Sequence, residues 1–184
     1  RMMQGRLIGV VGPSGVGKDT VMAALAKAEP RLGLVRRTIT RDPSAGGEDY
    51  DPVTPAEFDA LVQQDAFLVH WGAHNLRYGI PNTVRATLNA GQDLLVNLSR
   101  SVLGTCDTRV PRFVVLSLHA HPAVLAKRLS GRGRESQTQI TQRLARIGAA
   151  LPETLNIIEL DNSGALEGTV TAARAQLFPE VALQ

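Results

Sequence analysis

The nine residues Gly12-Pro13-Ser14-Gly15-Val16-Gly17-Lys18-Asp19-Thr20 constrain the fold more than any other part of the chain. An apolar run, Leu7-Ile8-Gly9-Val10-Val11, precedes them, and Val21, Leu25 and Ala28 follow at helical spacing. A strand, a glycine-rich turn and a helix in that order, with Gly, four residues, Gly and Lys in the turn, is the core of a P-loop. The glycines let the backbone curl so that successive amides point inward. Those amides and the positive end of the helix form a cradle for phosphate oxygens. Gly12, Pro13, Ser14, Gly15, Val16, Gly17, Lys18, Asp19 and Thr20 are therefore expected to hold the phosphates and metal of Mg²⁺-ATP, with Lys18 reaching the β- and γ-phosphates. A glycine-rich turn that only reverses the chain needs neither the lysine nor so many glycines beside it.

The motif departs from its usual form at one position. Ser or Thr normally follows the lysine and its hydroxyl touches Mg²⁺, whereas here Asp19 follows and Thr20 comes one place later. A carboxylate beside phosphates repels them unless a cation lies between. Asp19 is thus a candidate metal-side residue, directly or through water. The other reading is an acid that complements the helix dipole.

With 184 residues the chain is expected to form one domain, counted from Met2 because Arg1 precedes it. The single Cys106 excludes an internal disulfide and suits a reducing cytoplasm. No apolar run is long enough to span a bilayer, and no secretory signal pattern is present. A net charge of +3 is too small to argue for nucleic acid. Its distribution says more: arginines gather at 36, 37 and 41, and again at 128, 132, 134, 143 and 146. Clusters around a P-loop point to phosphorylated substrates, although solvated helix faces account for some of them, Arg128 for example. The expected partners are small molecules, acting on a monomer or homodimer, with no membrane.

Strand-like runs at 6–11, 93–98, 113–118 and 155–160 alternate with helical patterns, which implies a parallel sheet covered on both faces. The last helix carries Leu166, Val170, Ala173 and Leu177 at helical spacing. Two segments interrupt the alternation. The first, 36–86, opens Arg36-Arg37-Thr38-Ile39-Thr40-Arg41 and passes through a Pro/Gly-rich loop. It then predicts a short helix with Thr54 as N-cap, Pro55 at the first position and Glu57 closing a capping box. A strand-like Ala66–Trp71, a turn and Arg77-Tyr78-Gly79-Ile80-Pro81 complete it. The second, 130–147, has glycines flanking arginines and suits a lid that brings positive charge onto phosphates. No Ser–His–Asp or Cys–His set and no zinc spacing is present. His119 and His121, before Pro122, suit capping or surface roles.

The P-loop, Thr38-Ile39-Thr40-Arg41, Phe67-Leu68, Tyr78-Gly79 and the run Lys127–Ser136 with Arg143-Leu144 resemble the guanylate kinase family over nearly the whole chain. The resemblance implies an α/β P-loop NTPase fold: a three-layer sandwich with a five-stranded parallel core (2–35, 87–129, 148–184), an inserted acceptor-binding segment (36–86) and a lid (130–147). It also implies departures. Guanylate kinases carry a glutamate that reads the guanine edge where this chain has Val69, Ser or Thr where it has Ile80, an arginine where it has Ser44, and Asp-Ile-Asp at a strand end where it has Asn97-Leu98-Ser99. Gly-Lys-Asp in the loop, Ile-Thr-Arg-Asp-x-Ser-Ala-Gly, Trp71, Asn-x-Ser-Arg and Arg-Gly-Arg-Glu resemble instead the ribose 1,5-bisphosphate phosphokinase branch, which makes 5-phosphoribosyl 1-diphosphate in phosphonate breakdown. A hydrogen-bonding pocket stripped of its base-reading groups loses selectivity for the base.

On that resemblance Lys18, Arg132 and Arg143 are the expected catalytic groups, with Arg134 and Arg146 secondary. Asn162, in the loop after the last strand, is expected to contact adenine, and Arg37, Arg41, His74, Tyr78, Ser99 and Arg100 to bind the acceptor. A phosphate acceptor is already ionised, so the enzyme needs no general base; it must align two polyanions and neutralise the moving charge. A nucleoside monophosphate kinase, a non-catalytic interaction module and a free-standing NTPase are the alternatives.

Overall fold

The computed structural model describes residues 3–45, 48–130 and 151–180. The first strand, β1 (Leu7–Val11), is buried along its whole length, as an apolar run without alternation requires. It leads through the P-loop into α1 (Lys18–Ala28), which turns Val21, Met22 and Leu25 inward. Ala28, expected on that face, is exposed. Five strands make a parallel sheet: β1, β2 (Leu32–Leu34), β7 (Asp93–Asn97), β8 (Phe113–His119) and β9 (Ile157–Asp161), in the order β2-β7-β1-β8-β9. Three of these match the runs read at 93–98, 113–118 and 155–160. The last begins two residues late, since the Leu155 amide closes a turn on the Pro152 carbonyl. Strand β2 has only three residues, too few to show a period.

The chain divides into two compact units, one of Arg1–Gly9 with Arg31–Val114 and the other of Val10–Pro30 with Val115–Gln184. The first unit contains a second sheet, ordered β4-β3-β6-β5. It is built from β3 (Arg37–Ile39), β4 (Tyr50–Pro52), β5 (Phe67–Ala73) and β6 (Leu76–Pro81). Helix α2 (Pro55–Gln63) precedes β5, and it starts as read: Thr54 accepts from the Glu57 amide while Glu57 accepts from the Thr54 amide, with Pro55 at the first position. Strands β5 and β6 form an antiparallel hairpin, pairing Trp71 with Tyr78 and Ala73 with Leu76. His74 (φ 53°) and Asn75 (φ 61°) are the two left-handed residues of its turn. This pair of positive φ values is what a two-residue hairpin loop demands. Ile39, Tyr50 and Tyr78 make the local core, flanked by Trp71, Ala73 and Leu76. Helix α3 (Val84–Asn89), two 3-10 segments (Pro43–Ala45 and Arg100–Val102) and α4 (Leu103–Arg109) also belong to the unit.

The second unit holds the P-loop, α1, α5 (Pro122–Ser130), β9, α6 (Leu166–Leu177) and most of β8. Helix α5 is capped by His121, whose Nδ1 accepts from the Ala123 amide at 3.2 Å, a capping role as expected from its place before Pro122. Helix α6 buries Thr169, Ala173 and Leu177, while Leu166 and Val170 are half-buried. The inward stripe therefore includes a threonine that hydrophobic spacing does not select. The arginine-rich segment expected as a lid, with Arg132, Arg134, Arg143 and Arg146, lies outside the described residues. Among the described residues no helix is long and apolar enough to cross a membrane.

Candidate functional site

The P-loop is formed as its sequence requires. Gly15 (φ 84°) and Gly17 (φ 94°) both sit in the left-handed region, where a side chain is strained. Gly12 is needed for space: a Cβ there would stand 2.7 Å from the Leu118 carbonyl oxygen. Gly17 is the N-cap of α1, so its own amide and those of Lys18, Asp19 and Thr20 have no acceptor within the helix. The Lys18 ammonium donates to the Gly12 carbonyl at 2.6 Å, which holds the cation over the loop. Amides without helical partners and a lysine above them make an anion site suited to a polyphosphate.

Two residues expected elsewhere hold the loop from behind. Arg128, read as a solvated helix residue, donates from one guanidinium nitrogen to the carbonyls of Gly15 (3.3 Å) and Val16 (3.2 Å), and from the other to the carbonyl of Asn162 (2.8 Å). Asn162, read as an adenine contact, is buried. Its Nδ2 donates to the Val16 carbonyl at 2.7 Å, and its Oδ1 accepts from the Thr169 hydroxyl at 2.6 Å. Both polar atoms of the Asn162 side-chain amide thus have protein partners, and the side chain supports the loop. Next to it, hydrogen bonds from the Ser163 hydroxyl and amide hold the Asp161 carboxyl below its usual range.

The donor set fits a hard divalent cation bound chiefly through phosphates. Asp19 and Thr20 are exposed in the first turn of α1. Among the described residues no cluster of three or more His, Cys, Asp or Glu could hold a metal ion. Mg²⁺ keeps several waters and takes one or two carboxylates plus substrate phosphates, so a single open carboxylate beside the loop is a suitable partner.

In the first unit, the expected acceptor residues separate into two groups. Tyr78 is buried, stacks on Trp71 at 5.4 Å with rings 8° from parallel, and lies under the Arg37 guanidinium at 4.9 Å. Arg41 lies over the Tyr50 ring at 5.3 Å and has no carboxylate partner among the described residues. Arg37, expected to hold acceptor phosphate, is otherwise engaged. It is buried, forms a two-pronged ion pair with Glu48 (2.9 Å through Nε), and donates to the Asn97 carbonyl at 3.2 Å. These bonds use three of its five N–H donors and tie Arg37 into the cluster. His74 is exposed at the hairpin tip, away from the Trp71–Tyr78 pair, and its left-handed backbone gives it a turn role.

Loop residues around this cluster have partners of their own. The Tyr50 hydroxyl donates to the Asp42 carbonyl. Ser44, which stands where the resemblance expects an arginine, donates its amide (2.8 Å) and hydroxyl (2.6 Å) to the Asp42 carboxylate and holds it below the usual carboxylate range. Ser99 caps the 3-10 segment: its Oγ accepts from the Ser101 amide at 3.3 Å. Arg100 follows it and is exposed. Val69 is buried in β5, opposite Ile80. Cys106 is buried as well, and burial pushes its thiol up to about 12, so it is no nucleophile.

The guanylate kinase family model matches residues 4–171. The chain is 52% identical, over 178 residues, to ribose 1,5-bisphosphate phosphokinase PhnN of Ruegeria sp. (strain TM1040), covering 96% of this chain and 94% of that one. It belongs to the ribose 1,5-bisphosphate phosphokinases of the guanylate kinase family. A second phosphokinase of this name, from Agrobacterium fabrum, is 45% identical over 164 residues, covering 88% of this chain and 90% of the other. The crystal structure of guanylate kinase from Anaplasma phagocytophilum superimposes with a TM-score of 0.70 at 17% identity, covering 98% of this chain and 87% of that one. The fold is therefore the α/β P-loop kinase fold that the resemblance implied. For a ribose 1,5-bisphosphate phosphokinase the buried Val69–Ile80 pair is a meaningful departure, since neither residue can hydrogen-bond a nucleobase.

Proposed function

We propose that the protein transfers the γ-phosphoryl group of ATP to the 1-phosphate of ribose 1,5-bisphosphate, giving 5-phosphoribosyl 1-diphosphate and ADP. An oxygen of the acceptor phosphate forms a bond to the γ-phosphorus as the bond from that phosphorus to the β,γ-bridging oxygen breaks. The nucleophile is already an anion, so no proton has to move. This agrees with a set of candidate residues made of a lysine, arginines and backbone amides, without a base–nucleophile pair.

The observation that carries the acceptor half is Val69. It is 3% exposed and apolar at the position where a nucleotide-reading enzyme of this family needs a carboxylate. Support for the donor half is the formed P-loop with Lys18 held over it. In this reading Lys18 and the first-turn amides, which have no acceptor within the helix, bind the ATP phosphates. Mg²⁺, held by those phosphates with Asp19 directly or through water, would neutralise charge as the phosphoryl group moves. Arg41 and the Tyr78 edge bind the acceptor phosphate that is attacked, and Ser99 and Arg100 bind its second phosphate. Arg37 keeps Tyr78 and β3 in position. Arg132 and Arg143, outside the described residues, keep the transition-state role that the family resemblance assigns. Small-molecule substrates, the cytoplasm and a monomer or homodimer are the setting this chemistry expects.

The test is ADP release from ATP and Mg²⁺ with a panel of acceptors: ribose 1,5-bisphosphate, GMP, AMP and UMP. The sugar bisphosphate should exceed each nucleotide by at least two orders of magnitude in kcat/KM, the scale set by losing hydrogen-bond partners in a polar site. Preference for GMP would mean that another residue reads the base, and that the protein is a nucleoside monophosphate kinase.

A further inference from the structure

We infer that Arg128 is a positioning residue for phosphoryl transfer: it acts on the polyphosphate through the P-loop backbone, with Asn162 and Thr169 as its partners. The inference rests on the reading that the P-loop binds nucleotide phosphates. It adds a residue whose side chain touches the loop's carbonyls.

The geometry is that of a clamp on two consecutive peptide planes. In a trans peptide the C=O and N–H point to opposite sides, so fixing one fixes the other. The plane between Gly15 and Val16 has its carbonyl on Arg128 and its amide turned onto the Pro13 carbonyl at 3.2 Å. The plane between Val16 and Gly17 has its carbonyl on both Arg128 and Asn162 Nδ2. The amide of that second plane belongs to Gly17, the residue that opens α1 with φ 94°. Two donors on the outer side of the loop, one Arg128 guanidinium nitrogen and Asn162 Nδ2, therefore orient the first amide of the anion nest. Thr169 fixes the Asn162 amide the right way round, because its hydroxyl donates to Oδ1 and leaves Nδ2 for Val16.

Space and charge agree with this role. A Cβ on Gly17 would stand 3.1 Å from Asn162 Nδ2, and one on Gly15 would stand 3.1 Å from Leu129 Cγ on the same helix as Arg128. The loop is thus pressed against its support at the positions where it curls. A guanidinium can bridge three carbonyls in one plane, and a lysine cannot. Its charge also lies on the carbonyl side of the loop, where it strengthens hydrogen bonds to carbonyl oxygens.

Isothermal titration of Mg²⁺-ATP and, separately, of inorganic tripolyphosphate tests the inference. Arg128→Ala should weaken both ligands by the same factor, about 10- to 100-fold, the worth of charge-assisted hydrogen bonds. Arg128→Lys should recover only part of it. Guanidinium ion at low millimolar concentration should restore binding to Arg128→Ala, and sodium chloride at equal ionic strength should not; a fold that had only loosened would not respond to guanidinium. If Arg128→Ala does not fold, Thr169→Val carries the same comparison, with an equal and smaller loss for the two ligands. Loss of ATP binding with tripolyphosphate unaffected would place Arg128 on the nucleoside and overturn the inference, as would unchanged binding of both. If the unmodified protein bound neither ligand, the P-loop reading itself would fall and the inference with it.

Discussion

Asp19 follows the P-loop lysine where a hydroxyl is usual, and its carboxylate is exposed in the first turn of α1. If it holds the metal through water, Asp19→Asn should raise the Mg²⁺ concentration for half-maximal rate about 10-fold or more, with little change in melting temperature. A magnesium titration of turnover measures this, and an unchanged Mg²⁺ requirement would return Asp19 to a helix-dipole role. At this scale the sequence was legible wherever the chemistry is local. Gly15, Gly17 and Lys18 are neighbours in the chain, and their conformations follow from the motif. The hold of Arg128 and Asn162 on the loop was not legible, because Val16 is 112 and 146 residues away from them in sequence. No spacing rule reveals that a helix arginine ends on a loop carbonyl. Arg37 shows a different limit: Glu48 is only 11 residues away, yet nothing in the sequence tells a phosphate-seeking arginine from one that also pairs with a carboxylate.

Helix α2 was readable because the Thr54–Glu57 capping box joins residues three apart and Pro55 fits only the first turn. The strands β2, β3 and β4 were not, because each has three residues and is stabilised by its neighbours rather than by its own pattern. Strand β3 depends on Arg37 in particular, which ties it to the segment before β4 through Glu48 and to the end of β7 through Asn97. The Arg37 and Glu48 side chains are 7% and 16% exposed, so the pair is nearly desolvated. Removing one partner leaves the other charge uncompensated, at a cost of about 3 kcal/mol, the low end for buried pairs. Glu48→Gln and Arg37→Met should each lower the melting temperature by roughly 6–12 °C in a chain of this length, read by calorimetry. Unchanged melting with a large rise in acceptor KM would show that Arg37 binds phosphate after all.

For the whole molecule, the alternation of apolar strands and helices sufficed for the α/β class, and the five-stranded sheet follows the strand runs apart from β2. The division into two compact units was not readable from composition, since the 36–86 segment shares its unit with β7 and α4. Departures from the guanylate kinase pattern carried the functional reading: a buried Val69 opposite Ile80, and Ser44 engaged with Asp42 where an arginine is expected. Together they support the proposed reading of a P-loop kinase whose acceptor is recognised by its phosphates and not by a base. Phosphorus NMR of the products formed from ATP, Mg²⁺ and ribose 1,5-bisphosphate tests that description most directly. The expected result is a new pair of coupled diphosphate resonances beside those of ADP, with the sugar 5-phosphate signal retained. Inorganic phosphate and ADP alone would contradict it, because the protein would then hydrolyse ATP without a sugar acceptor.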